Sequence, residues 1–263
     1  MLKKLCLVLM LGAGLSMGGT VAAEGVLKIG VEAMYPPFES KDANGKLVGF
    51  DIELADAVCA KLDVKCEWVE STFDGLIPSL NTRKFDFVNS NMTITEARKK
   101  VVNFTVPIYD VPSQLIVKKD VDVTLDPESL KAKNITVAVL QGSAQETFAK
   151  KHWQSKGVKV VSYANQDQVF IDLANGRVQG ALQNTPVGRD AFLSQPEGKD
   201  FKEIEEVAND PEVLTTAIGF AVRKNDHALK DQLDQAINSL KEEGVVAELS
   251  KKYFGSDWTA RNE

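Results

Sequence analysis

The order β-α-β-α-β occurs twice along this chain, and that grammar limits the possible folds more than any other feature. Residues 27–32 alternate apolar and polar side chains, as a half-buried strand does. Pro36 and Pro37 cannot continue a sheet ladder, so a loop displaying Glu32 and Tyr35 follows the strand's C-terminal end. Asn44-Gly45 marks a hairpin turn. Asp51 stands where it can cap a helix whose apolar positions Leu54, Ala55, Val58, Cys59 and Leu62 keep helical spacing. A strand over 64–69, a helix capped by Asp74 and carrying Leu76, Ile77 and Leu80, and a strand over 85–88 complete the first unit.

The second unit repeats the order. A strand over 135–140 leads through Gln141-Gly142-Ser143-Ala144 into a helix over 145–153. A strand over 158–163, a helix over 166–175 and a strand over 180–183 follow, and Asn184-Thr185-Pro186 opens another helix. Residues 106–118 and 207–216, which contain Pro107, Pro112 and Pro211, connect the units. Residues 217–222 read as one further strand. Asp226 caps a long helix with Leu229, Leu233, Ala236, Ile237 and Leu240, and a last helix ends near Gly255.

This pattern predicts an α/β protein of two lobes, each a mostly parallel sheet flanked by helices. Lobe 1 takes residues 24–110 and 214–263, and lobe 2 takes 113–207. The chain crosses between them near 110–113 and 207–214. Two crossings make a hinge, and two sets of strand carboxyl ends facing each other make a ligand cleft.

The first 23 residues differ from the rest. Lys3 and Lys4 precede an apolar run over 5–15, and small residues end it at Ala22-Ala23. This reads as a cleavable secretory leader, because the run is short for a membrane span. Cys6 lies too early, with the apolar run after it, to be a lipid-attachment site. Without the leader's two lysines the 31 basic residues become 29 against 37 acidic ones, a net charge of −8. An acidic exported chain with no basic tract is a poor nucleic-acid binder. Cys59 and Cys66 remain, an even pair that reads as a disulfide in an oxidising compartment, with two buried free thiols as the competing reading. His152 and His227 stand apart from the pair, so no metal site is expected.

Asn89-Ser90-Asn91-Met92-Thr93-Ile94-Thr95-Glu96-Ala97-Arg98 follows the third strand. It gathers amide and hydroxyl groups and places an arginine where a helix begins. Helix-start amides attract an anion, and a guanidinium fork matches a carboxylate. An ordinary loop with a surface arginine is the plain alternative.

Several ordered motifs resemble the polar amino-acid-binding proteins of bacterial ABC importers. They are Ile29-Gly30-Val31-Glu32-Ala33-Met34-Tyr35-Pro36-Pro37-Phe38, Gly49-Phe50-Asp51-Ile52-Glu53-Leu54-Ala55, Asp74-Gly75-Leu76-Ile77-Pro78-Ser79-Leu80 and Met92-Thr93-Ile94-Thr95-Glu96-Ala97-Arg98. Leu140-Gln141-Gly142-Ser143, Gln145-Glu146-Thr147-Phe148 and the Cys59/Cys66 pair are similar to the lysine/arginine/ornithine- and histidine-binding branch. The resemblance implies a two-lobed periplasmic binding protein fold of type II and a monomer in the periplasm. It implies a small-molecule amino acid or derivative as ligand, a membrane permease as partner, and no cofactor. It gives Arg98 the ligand's α-carboxylate, with Thr93 beside it and Ser143 in the turn that closes over it. Tyr35 and Phe73 would flank the ligand side chain, and Glu32 would meet its cation.

Three positions depart from the family. Asn184 replaces an aspartate that takes the α-ammonium, Ala144 replaces a threonine, and Asn91 replaces a small residue. They point toward a modified or N-substituted amino acid or an opine-like compound. Asp51 is read as a helix cap, not a ligand residue. The plain readings are a surface Arg98, core aromatics at Tyr35 and Phe73, and a solvated Glu32. The alternatives in function are an enzyme on the same fold, resembling cyclohexadienyl dehydratases, and a soluble sensor for a membrane receptor. Binding is favoured over catalysis because no nucleophile–base set is visible.

Overall fold

The computed structural model describes residues 25–260, so the leader assigned to residues 1–23 lies outside them. Strand β1 (Gly25–Val31) opens the chain and a short hairpin, β2 (Ser40–Lys41) with β3 (Leu47–Val48), follows it. Helix α1 (Phe50–Lys61) buries Leu54, Ala55, Val58 and Cys59, the face that helical spacing marked. Strand β4 (Val64–Glu70), helix α2 (Leu76–Asn81) and strand β5 (Phe87–Val88) complete the first unit. Helix α3 (Glu96–Lys99) and strands β6 (Val102–Phe104) and β7 (Tyr109–Asp110) lead to the boundary of the lobe. The second lobe runs β8 (Ser113–Lys118), α4 (Pro127–Ala132), β9 (Thr136–Leu140), α5 (Ala144–His152) and β10 (Lys159–Tyr163). It continues through α6 (Gln166–Ala174), β11 (Gly180–Asn184), α7 (Thr185–Gly188) and β12 (Phe201–Ala208). The chain then returns through β13 (Ala217–Ile218), β14 (Ala221–Arg223), α8 (His227–Glu242) and α9 (Val245–Phe254).

The two sheets share one plan. Their strand orders are β4-β1-β5-β14-β6 and β10-β9-β11-β8-β12. In each, the first three strands are parallel, and the fourth runs against its neighbours. The odd strand, β14 or β8, is the one that enters its lobe from the other. Alternate residues of β8 and β9 serve opposite faces. Leu115, Val117, Val137 and Val139 join one apolar cluster, and Ile116, Ala138 and Leu140 join another. A sheet buried on both faces is what covering helices require.

The connecting segments hold more structure than their prolines suggest. Residues 113–118 form a central strand of lobe 2, and β12 begins before residue 207. Residues 217–222 are not one strand. β13 pairs with β7 at the crossing, while β14 pairs with β5 and β6 inside lobe 1. Gly219 sits at the break because a Cβ there would lie 3.0 Å from Ile94 Cδ1 and 3.2 Å from Thr105 Oγ1. The neighbouring Phe220 amide donates to Thr105 Oγ1 at 3.0 Å. The crossings run side by side, joined by Val111 N to Thr216 O at 2.8 Å and Thr216 Oγ1 to Asp110 Oδ1 at 2.8 Å.

Cys59 and Cys66 form a disulfide that ties α1 to β4. Asp226 stands at the start of α8, but its carboxylate accepts from Arg223 Nη2 at 2.7 Å and does not cap the helix.

Candidate functional site

The carboxyl ends of β1 and β5 lie side by side in the first sheet, so the residues after them share one edge. Glu32 follows β1, and the segment 89–98 follows β5. Thr95 caps the short helix α3, its Oγ1 accepting from Arg98 N at 3.3 Å. The Arg98 side chain turns back over the strand ends. Its Nη1 donates to Thr93 O at 2.7 Å, and its Nη2 donates to Gly142 O of the other lobe at 3.0 Å. The guanidinium lies 5.4 Å from the centre of the Phe73 ring. Burial lowers its pKa to about 10, which leaves it charged at neutral pH.

Three carboxylates lie buried at this edge: Glu32, Glu39 and Asp51. Ser90 links the first two, its Oγ accepting from Glu32 N at 3.0 Å and donating to Glu39 Oε1 at 2.9 Å. Asp51 accepts from Asn91 N at 2.7 Å and from Tyr109 Oη at 2.7 Å. It therefore does not cap α1. Gly49 occupies that position without a side-chain bond, and Asp51 turns inward because two donors from distant segments meet it. Asn91 adopts a φ of 42°, which brings its amide to that carboxylate. Burial raises the Glu32 carboxyl to about 7, helped by Asp167 and opposed by a backbone bond from Met34. Burial likewise raises Asp51 to about 6 and holds Glu39 well above the usual carboxylate range. Glu32 Oε2 is buried with no hydrogen-bond partner among the described residues, whereas the Glu39 and Asp51 carboxyls share a hydrogen bond in which the protonated Glu39 donates.

Lobe 2 contributes the ends of β9 and β11 and the start of α6. Ser143 caps α5, its Oγ accepting from Glu146 N at 3.0 Å, and Ala144 is the first helical residue. The first-turn amides of α5 thus follow directly on the Gly142 carbonyl that Arg98 contacts. Asn184 closes β11 and is buried. Its Oδ1 accepts from Ser113 Oγ at 3.0 Å and Gln145 Nε2 at 2.6 Å. In the first turn of α6, Gln166 is buried with both side-chain polar atoms unpartnered among the described residues, and Asp167 lies within electrostatic reach of Glu32.

The lobes meet through these groups. Asn184 Nδ2 donates to Asn91 Oδ1, and Asn184 N donates to Tyr35 Oη at 3.4 Å. Gln141 Nε2 donates to Asp74 Oδ2 at 2.7 Å. Asp74 was expected to cap α2. It lies instead in a 3-10 turn, Phe73–Gly75, and no side chain caps α2. Tyr35, Asn91 and Arg98 thus contact the lobe that carries Ser143, Ala144 and Asn184, with Thr93 and Phe73 beside Arg98 and Glu32 within electrostatic reach of Asp167. Tyr35 rests on Phe38, with centroids 6.3 Å apart, while Phe73 lies against Arg98. Sequence reasoning did not single out Glu39, Asp74, Gln145, Gln166 or Asp167 for this cleft. Only Gln145 and Asp74 fell inside recognised motifs, and no local spacing marks the others.

The model of the bacterial extracellular solute-binding proteins, family 3, matches residues 27–256. The histidine-binding periplasmic protein of Salmonella typhimurium is 40% identical over 259 residues, covering 97% of this chain and 98% of the relative. The lysine/arginine/ornithine-binding periplasmic protein of Escherichia coli K12 is 42% identical over 255 residues, covering 96% and 97%. The solved structure of an ancestral arginine-binding protein bound to arginine superposes with a TM-score of 0.79 at 38% identity, covering 88% of this chain and 99% of that one. With its two lobes and cleft, the chain belongs to family 3 of the bacterial extracellular solute-binding proteins.

Proposed function

We propose that this protein is the solute-capturing component of an ABC amino-acid importer. It is exported to the periplasm by a leader over residues 1–23 that is then cleaved, and it works there as a monomer. Its lobes, residues 24–110 with 214–263 and residues 113–207, close about the crossings near 110–113 and 207–214. The closed form hands its ligand to a membrane permease. The ligand is a polar, basic amino acid or a derivative of one, and the protein captures it without chemical change. The relatives named for histidine, lysine, arginine and ornithine support this reading.

The observation that carries it is the charge of the cleft. Arg98 presents a guanidinium beside the start of α5, and Glu32 presents a buried carboxylate oxygen with no partner among the described residues. A small molecule with a carboxylate at one end and a cation at the other satisfies both. In this arrangement Arg98 receives the carboxylate, with Thr93, Ser143 and Ala144 around it. Tyr35 and Phe73 flank the aliphatic stem, Glu32 takes the cation, and Asn91 and Asn184 lie between the ends.

Calorimetry of the purified protein with arginine, lysine, ornithine, histidine and their derivatives tests the reading. Arg98→Ala is expected to weaken binding by about 30-fold or more, the loss of a charge-assisted pair, with an unchanged circular dichroism spectrum. Near-normal affinity in that variant would remove Arg98 from the site.

A further inference from the structure

The middle of the cleft is built differently from its ends. Asn91 and Asn184, one from each lobe, are buried and hydrogen-bonded directly to one another. Asn184 Oδ1 already accepts twice, from Ser113 Oγ and Gln145 Nε2. Asn91 Oδ1 accepts from Asn184, and Asn91 Nδ2 donates to Tyr109 Oη at 3.2 Å. The pair therefore retains one acceptor lone pair and two N–H donors. Asp51, the carboxylate bonded to Asn91, has both oxygens engaged, by Asn91 N and by Tyr109 Oη. An ammonium group placed here would have to part the two amides, and it would gain neutral acceptors in place of a counter-charge. Desolvating a cation on those terms is costly.

We infer that the ligand carries no free α-ammonium, and that the cleft selects an ω-guanidino or ω-amino carboxylic acid. This rests on the proposed role of the cleft as a site for cationic carboxylates and narrows the ligand within that class. The carboxylate goes to Arg98 and the distal cation to Glu32. Asp167, across the cleft in the first turn of α6, adds negative charge at the same end, and the unpartnered side chain of Gln166 offers a neutral acceptor. A plain methylene stem makes no demand on the hydrogen bonds of the Asn91–Asn184 pair. The amide pair then helps to hold the lobes together, the task that a ligand ammonium between two acceptors would otherwise perform.

The test compares 5-guanidinopentanoate with L-arginine, and 6-aminohexanoate with L-lysine, each pair differing only by the α-ammonium, by calorimetry on the wild-type protein. The expected result is that 5-guanidinopentanoate binds about tenfold or more tightly than L-arginine. Asn184→Asp should reverse the order, strengthening L-arginine and weakening 5-guanidinopentanoate. If wild-type protein binds L-arginine as tightly as 5-guanidinopentanoate or more so, the inference is overturned while the importer reading stands. If none of the four compounds binds, the reading of the cleft as a basic-ligand site falls, and the inference falls with it. Should Asn184→Asp not fold, the wild-type ranking decides alone.

Discussion

Burial makes Glu32, the proposed partner of the ligand's cation, sensitive to pH near neutrality. Burial raises its pKa to about 7, and burial also raises Asp51, which bonds to Glu39, to about 6. A carboxyl whose pKa rises on folding holds its proton more tightly in the folded state than in the unfolded one. The stability it contributes is complete below the unfolded value, near 4, and is lost as pH rises through 6 to 7. The ligand-free protein is therefore expected to melt at a higher temperature at pH 5.5 than at pH 8, and Glu32→Gln should narrow the difference. Differential scanning calorimetry reads both. Ligand binding runs the other way, because a cation at Glu32 needs the ionised form. Affinity for a cationic ligand should fall as pH drops below about 7, with proton release on binding visible as a buffer-dependent enthalpy. Flat affinity between pH 5.5 and 8 would separate Glu32 from the ligand's cation. Arg98 stood out as an arginine at a helix start and Glu32 as an acid at a strand end, and the family resemblance supplied their expected roles. Their partners were hidden because Ser90, Asp167 and Gly142 reach them from distant parts of the chain.

Elements held by a local period were readable, and those held by distant pairing were not. The buried face of α8 repeats Leu229, Leu233, Ala236, Ile237 and Leu240, and that spacing is visible in any window of the chain. β8 shows no such signal, since it is a strand only because β11 and β12 flank it in register. Three acids at helix starts, Asp51, Asp74 and Asp226, were read as caps. Each bonds to a partner outside its helix instead: Tyr109 and Asn91, Gln141, and Arg223. Composition at a helix start cannot distinguish a local acceptor from one recruited by tertiary structure. The α1–β4 pair gives a test at this scale. The disulfide spans a sequence separation of 7, a loop worth about 2.5 kcal/mol in the chain-entropy model. The Cys59→Ser, Cys66→Ser double variant should melt several degrees lower, roughly 5–10 °C for a chain of this size. Its ligand affinity should be unchanged, because Cys59 lies in the last turns of α1 and Cys66 near the start of β4, the end of the sheet opposite the one that carries Glu32. An equal loss of affinity would mean that α1 helps to set the position of Asp51 and the groups bonded to it.

The whole molecule is two similar lobes whose approach, in the proposed function, sets the binding state, and Gly142 is one of the points where they meet. The repeated β-α-β order was legible in the chain, whereas the pairs that meet across the cleft join residues far apart in sequence. Gly142 has a φ of 76°, and a Cβ on it would lie 2.8 Å from both Cα and Cβ of Asp74 in the opposite lobe. Its carbonyl is the one Arg98 reaches, and the neighbouring Gln141 side chain bonds to the same Asp74. Gly142→Ala therefore acts in two separable ways. The left-handed backbone costs about 1–2 kcal/mol wherever the lobes stand, and this appears as a lower melting temperature without ligand. The contact with Asp74 exists only when the lobes are together, so it opposes closure alone. Ligand affinity should fall by about tenfold or more, the penalty of an overpacked contact. Small-angle scattering at saturating ligand should then give a larger radius of gyration than the wild type shows. If melting temperature falls but affinity and scattering match the wild type, the backbone strain is real, and the lobes do not need this approach to hold their ligand.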